Sequence, residues 1–299
     1  MKNLRIISVI IILFYTHIIQ AKALRSQPQT GDSFIISKGD IPTPNKYHSV
    51  IDYYMKYTKE KISQSIINLK KLQCEVKQGN ITQAKKLYIL AHNNYVMIRP
   101  IVMLFGDSDR ILDPRESYFI QGRNDWRFKG FHLIEYLLFK TNNKDQALSA
   151  TDDLIYNLTD IKERLSIETI EITKLIQSSG DFIETAIEVN LAGKENIYSN
   201  SDLNDLHANI ESSYKILTLL KPFIPKDNYK ILDDNNMRIT SVLNEYKNNN
   251  IYLPFKHLTI NDKNKLYSLL STQADLLATI RSLLKINVYH KFEVENNEK

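Results

Sequence analysis

Cysteine is almost absent: the 299 residues contain one, Cys74. An intrachain disulfide is therefore excluded, as is any metal site built from several thiolates of one chain, so stability must come from burial. Glycine and proline are scarce too, eight of each, well below the average usages of roughly 7% and 5%. Strand-rich folds need a turn every few residues, and this chain has too few turn formers for them; the scarcity points to long helices. A cationic patch is also missing. The formal charge is +5, but Lys2, Arg5 and Lys22 lie in an N-terminal segment that reads as an export signal, and without those three cations the balance is +2. The other lysines are scattered among asparagines, which leaves no electrostatic footprint for nucleic acid.

That N-terminal segment is the one long apolar run. "MKNLR" is a basic leader, "IISVIIILFY" an apolar core, and "AKA" an A-x-A cleavage signal ending at Ala23. Ile18 and Ile19 prolong the apolar stretch toward an uncleaved anchor, but His17 interrupts it and the small-residue site favours cleavage. The expectation is an exported, periplasmic chain with no stable membrane insertion after cleavage. Residues 1–23 form the signal peptide, 24–48 a proline-containing leader, 49–290 a helical domain and 291–299 a frayed tail.

Helical periodicity fills the domain. A capping box of Ser49 and Asp52 opens a helix whose Ile62, Ile66, Leu69, Leu72 and Val76 keep 3 and 4 spacing to Gly79. Asn80 with Gln83 caps a second, striped by Leu87, Ala91, Tyr95, Ile98, Val102 and Phe105, which Pro100 should kink near its end. Residues 107–129 have no period and read as a long ordered excursion. Helical pattern resumes with Leu154, Leu158, Ile161 and Leu165. It continues in segments ending near 174–177 and covering 181–191, and in a helix from Leu203 to Leu220 closed by Pro222 and Pro225. Two more follow, near 227–247 and 261–286, and complete an all-α chain. Tyr53, Tyr54 and Tyr57 are expected to pack at the core and rim of the first helix.

The excursion delivers the chain to "GFHLIEYLLF", residues 130–139, where two ionisable groups stand in an apolar run. On a helix, positions i and i+3 share a face, so His132 and Glu135 can converge on one metal ion. The plainer alternative is a buried histidine hydrogen-bonded to its own glutamate. His92 and His207 are set aside; the helix that carries His92 offers it no acid at metal spacing.

Taken in order, "YVMIRP", "LDPRES", "GFHLIEYLLF" and "GKENIYSNSDLNDLHANIESS" resemble the EfeO and imelysin-like family of exported bacterial proteins, over about residues 50 to 286. The resemblance implies an all-α fold of paired up-and-down helical bundles. It also implies a non-enzymatic role as the iron-binding component of an uptake system that works with an iron permease and a haem-type peroxidase. Carried over by motif, His132 and Glu135 match the metal-ligating pair, Asp113 the aspartate of an Ile-Asp-x-Arg segment, as third ligand or as a partner supporting the ligands, and Arg115 the arginine of that segment. Glu195, Tyr198 and Asp202 match the later acidic stretch as ligand-binding or supporting residues. Departures accompany the match. Where the family shows Tyr-Glu-Arg-Ile-Glu-Pro, both glutamates are replaced, by Val96 and Arg99; a family histidine is Asn200 and a family arginine is Leu133.

One imidazole with two carboxylates suits iron as Fe2+ or Fe3+, and zinc or copper as well, since donor type alone discriminates little among them. Two other functions stay open. Arg99, Arg110, Arg115, Arg123 and Arg127 suggest a binding protein for an anion such as a polysaccharide or ferric chelate, or else a salt-bridged loop. A metallopeptidase is a weaker alternative, because a zinc protease needs two histidines at helical spacing around a glutamate and none are found.

Overall fold

The computed structural model describes residues 43–249, 251–284 and 286. The signal peptide, nearly all of the leader and the tail expected from the sequence lie outside the described residues. Ten helices follow in chain order: α1 His48–Gln78, α2 Ile81–Val96, α3 Arg99–Val102, α4 Ser108–Leu112, α5 Gly130–Tyr136, α6 Lys144–Ile167, α7 Ile172–Thr185, α8 Asp202–Leu220, α9 Lys226–Asn244 and α10 Ile260–Leu283. A two-residue antiparallel pair, β1 Lys247–Asn248 and β2 Ile251–Tyr252, links the last two helices and was not anticipated. Among the described residues no helix is long and apolar enough to cross a membrane.

The helices form two packed groups, as an up-and-down chain with short loops requires. In the first, α1 lies against α2 and α6, and α5 packs on α6; in the second, α7 lies between α8 and α10, and α9 between α10 and α8. Helices α2 and α8 pack on each other and join the groups. The apolar stripes read from the sequence are the buried ones: Ile62, Leu69 and Leu72 of α1, Leu154, Leu158 and Leu165 of α6, and Leu203, Leu206 and Leu217 of α8. Each such side chain contributes about 1.5–3 kcal/mol by leaving water. Tyr54 is core and Tyr53 faces solvent, as helical spacing requires of neighbours.

Four local expectations need correction. Helix α1 begins at His48 with Tyr47 in the capping position, so Ser49 already sits in the first turn and caps nothing. Asn80 does precede α2, but its side chain bonds Glu75 and Gln78. Pro100 breaks the second helix rather than kinking it: α2 stops at Val96, and α3 starts afresh with the proline in its first turn, where a missing N–H costs nothing. Residues 172–190 form one helix ending in the π turn Ala186–Asn190, because a lone helical glycine such as Gly180 is only mildly unfavourable.

Candidate metal centre

Five segments converge on one buried cluster. The break after α2 turns Arg99 inward, seven residues beyond His92. The excursion contributes Asp109 within α4, Asp113 at its C-terminus, and Arg115 and Glu116 beyond. His132 and Glu135 lie on α5, Glu195 and Tyr198 in the loop after α7, and Asp202 and Asp205 in the first turns of α8.

Gly130 brings two of these segments together. Its φ is +67°, which favours glycine, and a Cβ there would lie 2.0 Å from the backbone oxygen of Leu112. The bare glycine lets the start of α5 press against the end of α4, so His132 meets Asp113. Phe131 and Tyr88 wall the other side, with ring centroids 4.9 and 5.9 Å from that of His92.

His132 uses both nitrogens. Nδ1 lies 3.2 Å from Glu135 Oε2, while Nε2 is 3.3 Å from Asp113 Oδ1 and 3.5 Å from Glu195 Oε1. Glu135 accepts at its other oxygen from the backbone N–H groups of Tyr198 and Ser199, at 3.1 and 2.8 Å, and from the Ser199 hydroxyl at 2.8 Å. Both its oxygens are therefore engaged, and it fixes the ring of His132 in place. His92, set aside on sequence grounds, stands at the centre: Nε2 is 3.1 Å from Asp113 Oδ1 and Nδ1 is 3.3 Å from Asp205 Oδ2. Its acidic partners come from other segments, so no spacing on α2 reveals them. Asp205 was missed as well, although Asp202 and Asp205 stand three apart and so share a helix face.

Arg99 lies within the acids. Nε and Nη2 donate to Asp109 at 2.8 and 3.1 Å, Nη1 donates to Glu195 at 2.7 Å and lies 3.3 Å from Asp113 Oδ2. Arg115 stands on the outer side, with Nη1 3.4 Å from Glu195 Oε2 and Nε donating to the Tyr118 hydroxyl at 2.9 Å. Asp202 accepts from the backbone N–H of Glu195 at 3.0 Å, which shapes the loop rather than facing the centre. Tyr198 donates its hydroxyl to Glu116. Asn200 adopts a left-handed conformation, φ +60°, with its side-chain oxygen toward the backbone N–H of Lys256, away from the cluster. Of the excursion's other arginines, Arg110 is exposed, Arg123 lies near Glu116 and Arg127 pairs with Asp125.

Burial alone would strip the proton from each imidazole, but the carboxylates prevail. Asp205 and Asp113 hold His92 well above the ordinary histidine range, and Asp113, Glu135 and Glu195 push His132 up to about 10. Burial would raise Glu195, yet Arg99, His132 and Arg115 hold it well below the usual carboxylate range; Asp113 is lowered too, by His92, His132 and Arg99, against its own burial. Asp202 has no cation against it, and burial pushes it up to about 7.

Four buried atoms here lack a hydrogen bond: His132 Nε2, His92 Nδ1, Asp113 Oδ2 and Glu195 Oε2. They have ion-pair neighbours within reach but none in hydrogen-bonding geometry, and unsatisfied buried groups of this kind call for an explanation such as a bound ion. One ligand atom each from His92, Asp113 and His132 lie within 4.8 Å of one another. Two imidazoles and a carboxylate are a donor set fit for a first-row transition metal. A cavity of about 330 Å³ opens onto His132 and Glu195, with Arg115, Lys194 and Phe128 on its walls.

With this geometry in hand, comparison with known proteins gives two findings. The imelysin family model matches residues 54–248. The chain is also 31% identical over 240 residues to proteins named "Iron uptake system component EfeO" from Shigella boydii serotype 4 (strain Sb227) and Escherichia coli O157:H7, covering 79% of this chain and 64% of each relative. A protein of the same name from Yersinia pestis is 31% identical over 237 residues, 78% of this chain and 63% of its own length. The chain thus spans a little under two thirds of the curated relatives it matches.

Proposed function

Since the chain belongs to the imelysin family, we propose that it is a periplasmic component of an iron-uptake system that captures the metal as cargo in the buried cluster and passes it to a membrane permease. The observation that carries this reading is the set of buried, unbonded donor atoms on His92, His132, Asp113 and Glu195. In it, His132 Nε2, Asp113 and His92 hold the ion and Glu195 lies at the side facing the cavity. Glu135 holds Nδ1–H of His132, so Nε2 is the nitrogen that gives up its proton to the metal, with its basicity raised. Arg115 and Asp202 position Glu195 from opposite sides. A haem-type peroxidase would act on the cargo's oxidation state; nothing in the cluster itself calls for catalysis, and the chain is proposed to be non-enzymatic.

Arg115 and Lys194 on the cavity wall favour a second reading, in which iron arrives as an anionic chelate whose carboxylates meet these cations. The test is calorimetric titration of the purified chain with Fe2+ under argon and with ferric citrate, with zinc and copper alongside. Binding lost in His132→Ala supports the site; affinity for every metal left unchanged by that substitution refutes it. Ferric citrate bound without Fe2+ binding favours the chelate.

A further inference from the structure

The position held by glutamate in the family motif is Arg99 here, and its guanidinium does more than lose a ligand. It lies in the cluster and bridges three carboxylates, Asp109, Asp113 and Glu195, at 2.7 to 3.3 Å. Two of these, Asp113 and Glu195, also face His132 Nε2. The side chain is only 12% exposed, and its start in α3 is fixed by the helix break at Pro100. It cannot swing out to make room, so any metal at His132 and Asp113 shares those carboxylates with a permanent neighbouring cation.

We propose that Arg99 is a built-in counter-cation of the metal site, lowering the charge available to a bound ion and so setting which ions are held and how tightly. The inference rests on the metal-capture reading above and adds the residue that tunes it. The physics is direct. A fixed positive charge a few ångströms from an ion repels it in proportion to the ion's own charge, and water screens little of this inside the protein. Arg99 also draws Asp113 and Glu195 toward itself, so their electron density is divided between guanidinium and metal. Both effects penalise a trivalent ion more than a divalent one. A site that must release its cargo gains from such a neighbour, because a cluster of several carboxylates and two imidazoles would otherwise hold a transition metal too firmly to give it up.

The experiment titrates Mn2+ and Tb3+ as probes into the purified wild-type chain and into Arg99→Gln and Arg99→Lys, with melting curves confirming that each is folded. Arg99→Gln should bind Mn2+ at least about tenfold more tightly, and Tb3+ by a larger factor, its logarithm about one and a half times as great, following the charge ratio in Coulomb's law. Arg99→Lys keeps the charge and should stay within about threefold of wild type, which a merely structural role for the guanidinium fork would not predict. Removing one cation leaves Asp109 unpaired, so the double variant Arg99→Gln with Asp109→Asn is measured beside it. That variant removes the pair together while still freeing Asp113 and Glu195, and a smaller rise in the same direction is expected, because the Asp109 carboxylate is lost with the guanidinium. Equal affinities in wild type, Arg99→Gln and the double variant overturn this inference alone. Absence of binding in all of these folded proteins overturns the metal reading and this inference with it.

Discussion

Metal capture at this cluster should release protons, and the count can be worked from the site. Two imidazoles lie in contact with carboxylates that keep them protonated, His132 to about pH 10 and His92 well above the ordinary range. A metal takes only the neutral ring, so each histidine that ligates must shed its proton first. The sign follows. A histidine with a raised pKa holds its proton throughout the neutral range, so the ion competes with protons and affinity rises with pH until that pKa is passed. For His132 the gap from pH 7 to about 10 costs about 4 kcal/mol, at 1.36 kcal/mol per unit, or roughly a thousandfold in affinity. Each displaced proton steepens the dependence by about tenfold per pH unit, and two give about a hundredfold. Exchanging two protons for one divalent ion leaves the net charge of the cluster unchanged, so burial does not oppose it. Calorimetric titration with Mn2+ at pH 6, 7 and 8, in buffers of different ionisation heat, gives both the affinity and the protons released. One to two protons per ion are expected at pH 7. Zero protons released, with a flat affinity across that range, would mean that neither histidine is a ligand.

The other predictions follow from the same geometry. Gly130→Ala must push a Cβ against the Leu112 carbonyl in a left-handed conformation; it should cost about 1–3 kcal/mol in denaturant unfolding and weaken metal binding by separating Asp113 from His132, and a silent substitution would disprove that contact. Glu135→Gln keeps the acceptor for Tyr198 and Ser199 but loosens the hold on His132 Nδ1, so metal affinity should fall about 10- to 100-fold while the melting temperature changes little. Without metal, stability should decline as pH rises through about 10, because the pairs made by protonated His132 are present below its ordinary pKa and vanish above the raised one; thermal unfolding that is level from pH 8 to 10.5 would count against this.

Much of the fold could be read from the sequence because helix packing leaves a periodic record. The stripes through Leu69, Leu158 and Leu217 are buried where spacing put them, and Gly79 and Pro222 lie just past the ends of α1 and α8. The pair His132 and Glu135 was visible because both sit on one helix, three residues apart. His92 was not, because its partners Asp113 and Asp205 belong to other segments, and a spacing rule is blind to contacts made by the tertiary fold. Arg99 was noticed as a departure from the family motif and as one of a run of arginines, not as a neighbour of the metal-site acids; its place among the carboxylates depends on the break before α3, where proline acts more severely than the expected kink. The helix through residues 172–190 was divided because the glycine and polar residues around Gly180 resemble an ending, whereas neighbouring helices hold that stretch together.

The cluster draws on α2, the excursion, α5, the loop after α7 and α8, so its members come from both packed groups of helices. A chain that has formed every helix but not yet joined the two groups would possess all of these side chains and none of the cavity. On the metal-capture reading, only complete assembly would create a place for cargo, so that loading would itself report on folding: an incompletely assembled molecule would stay empty, and a loaded one would be cross-braced by what it holds.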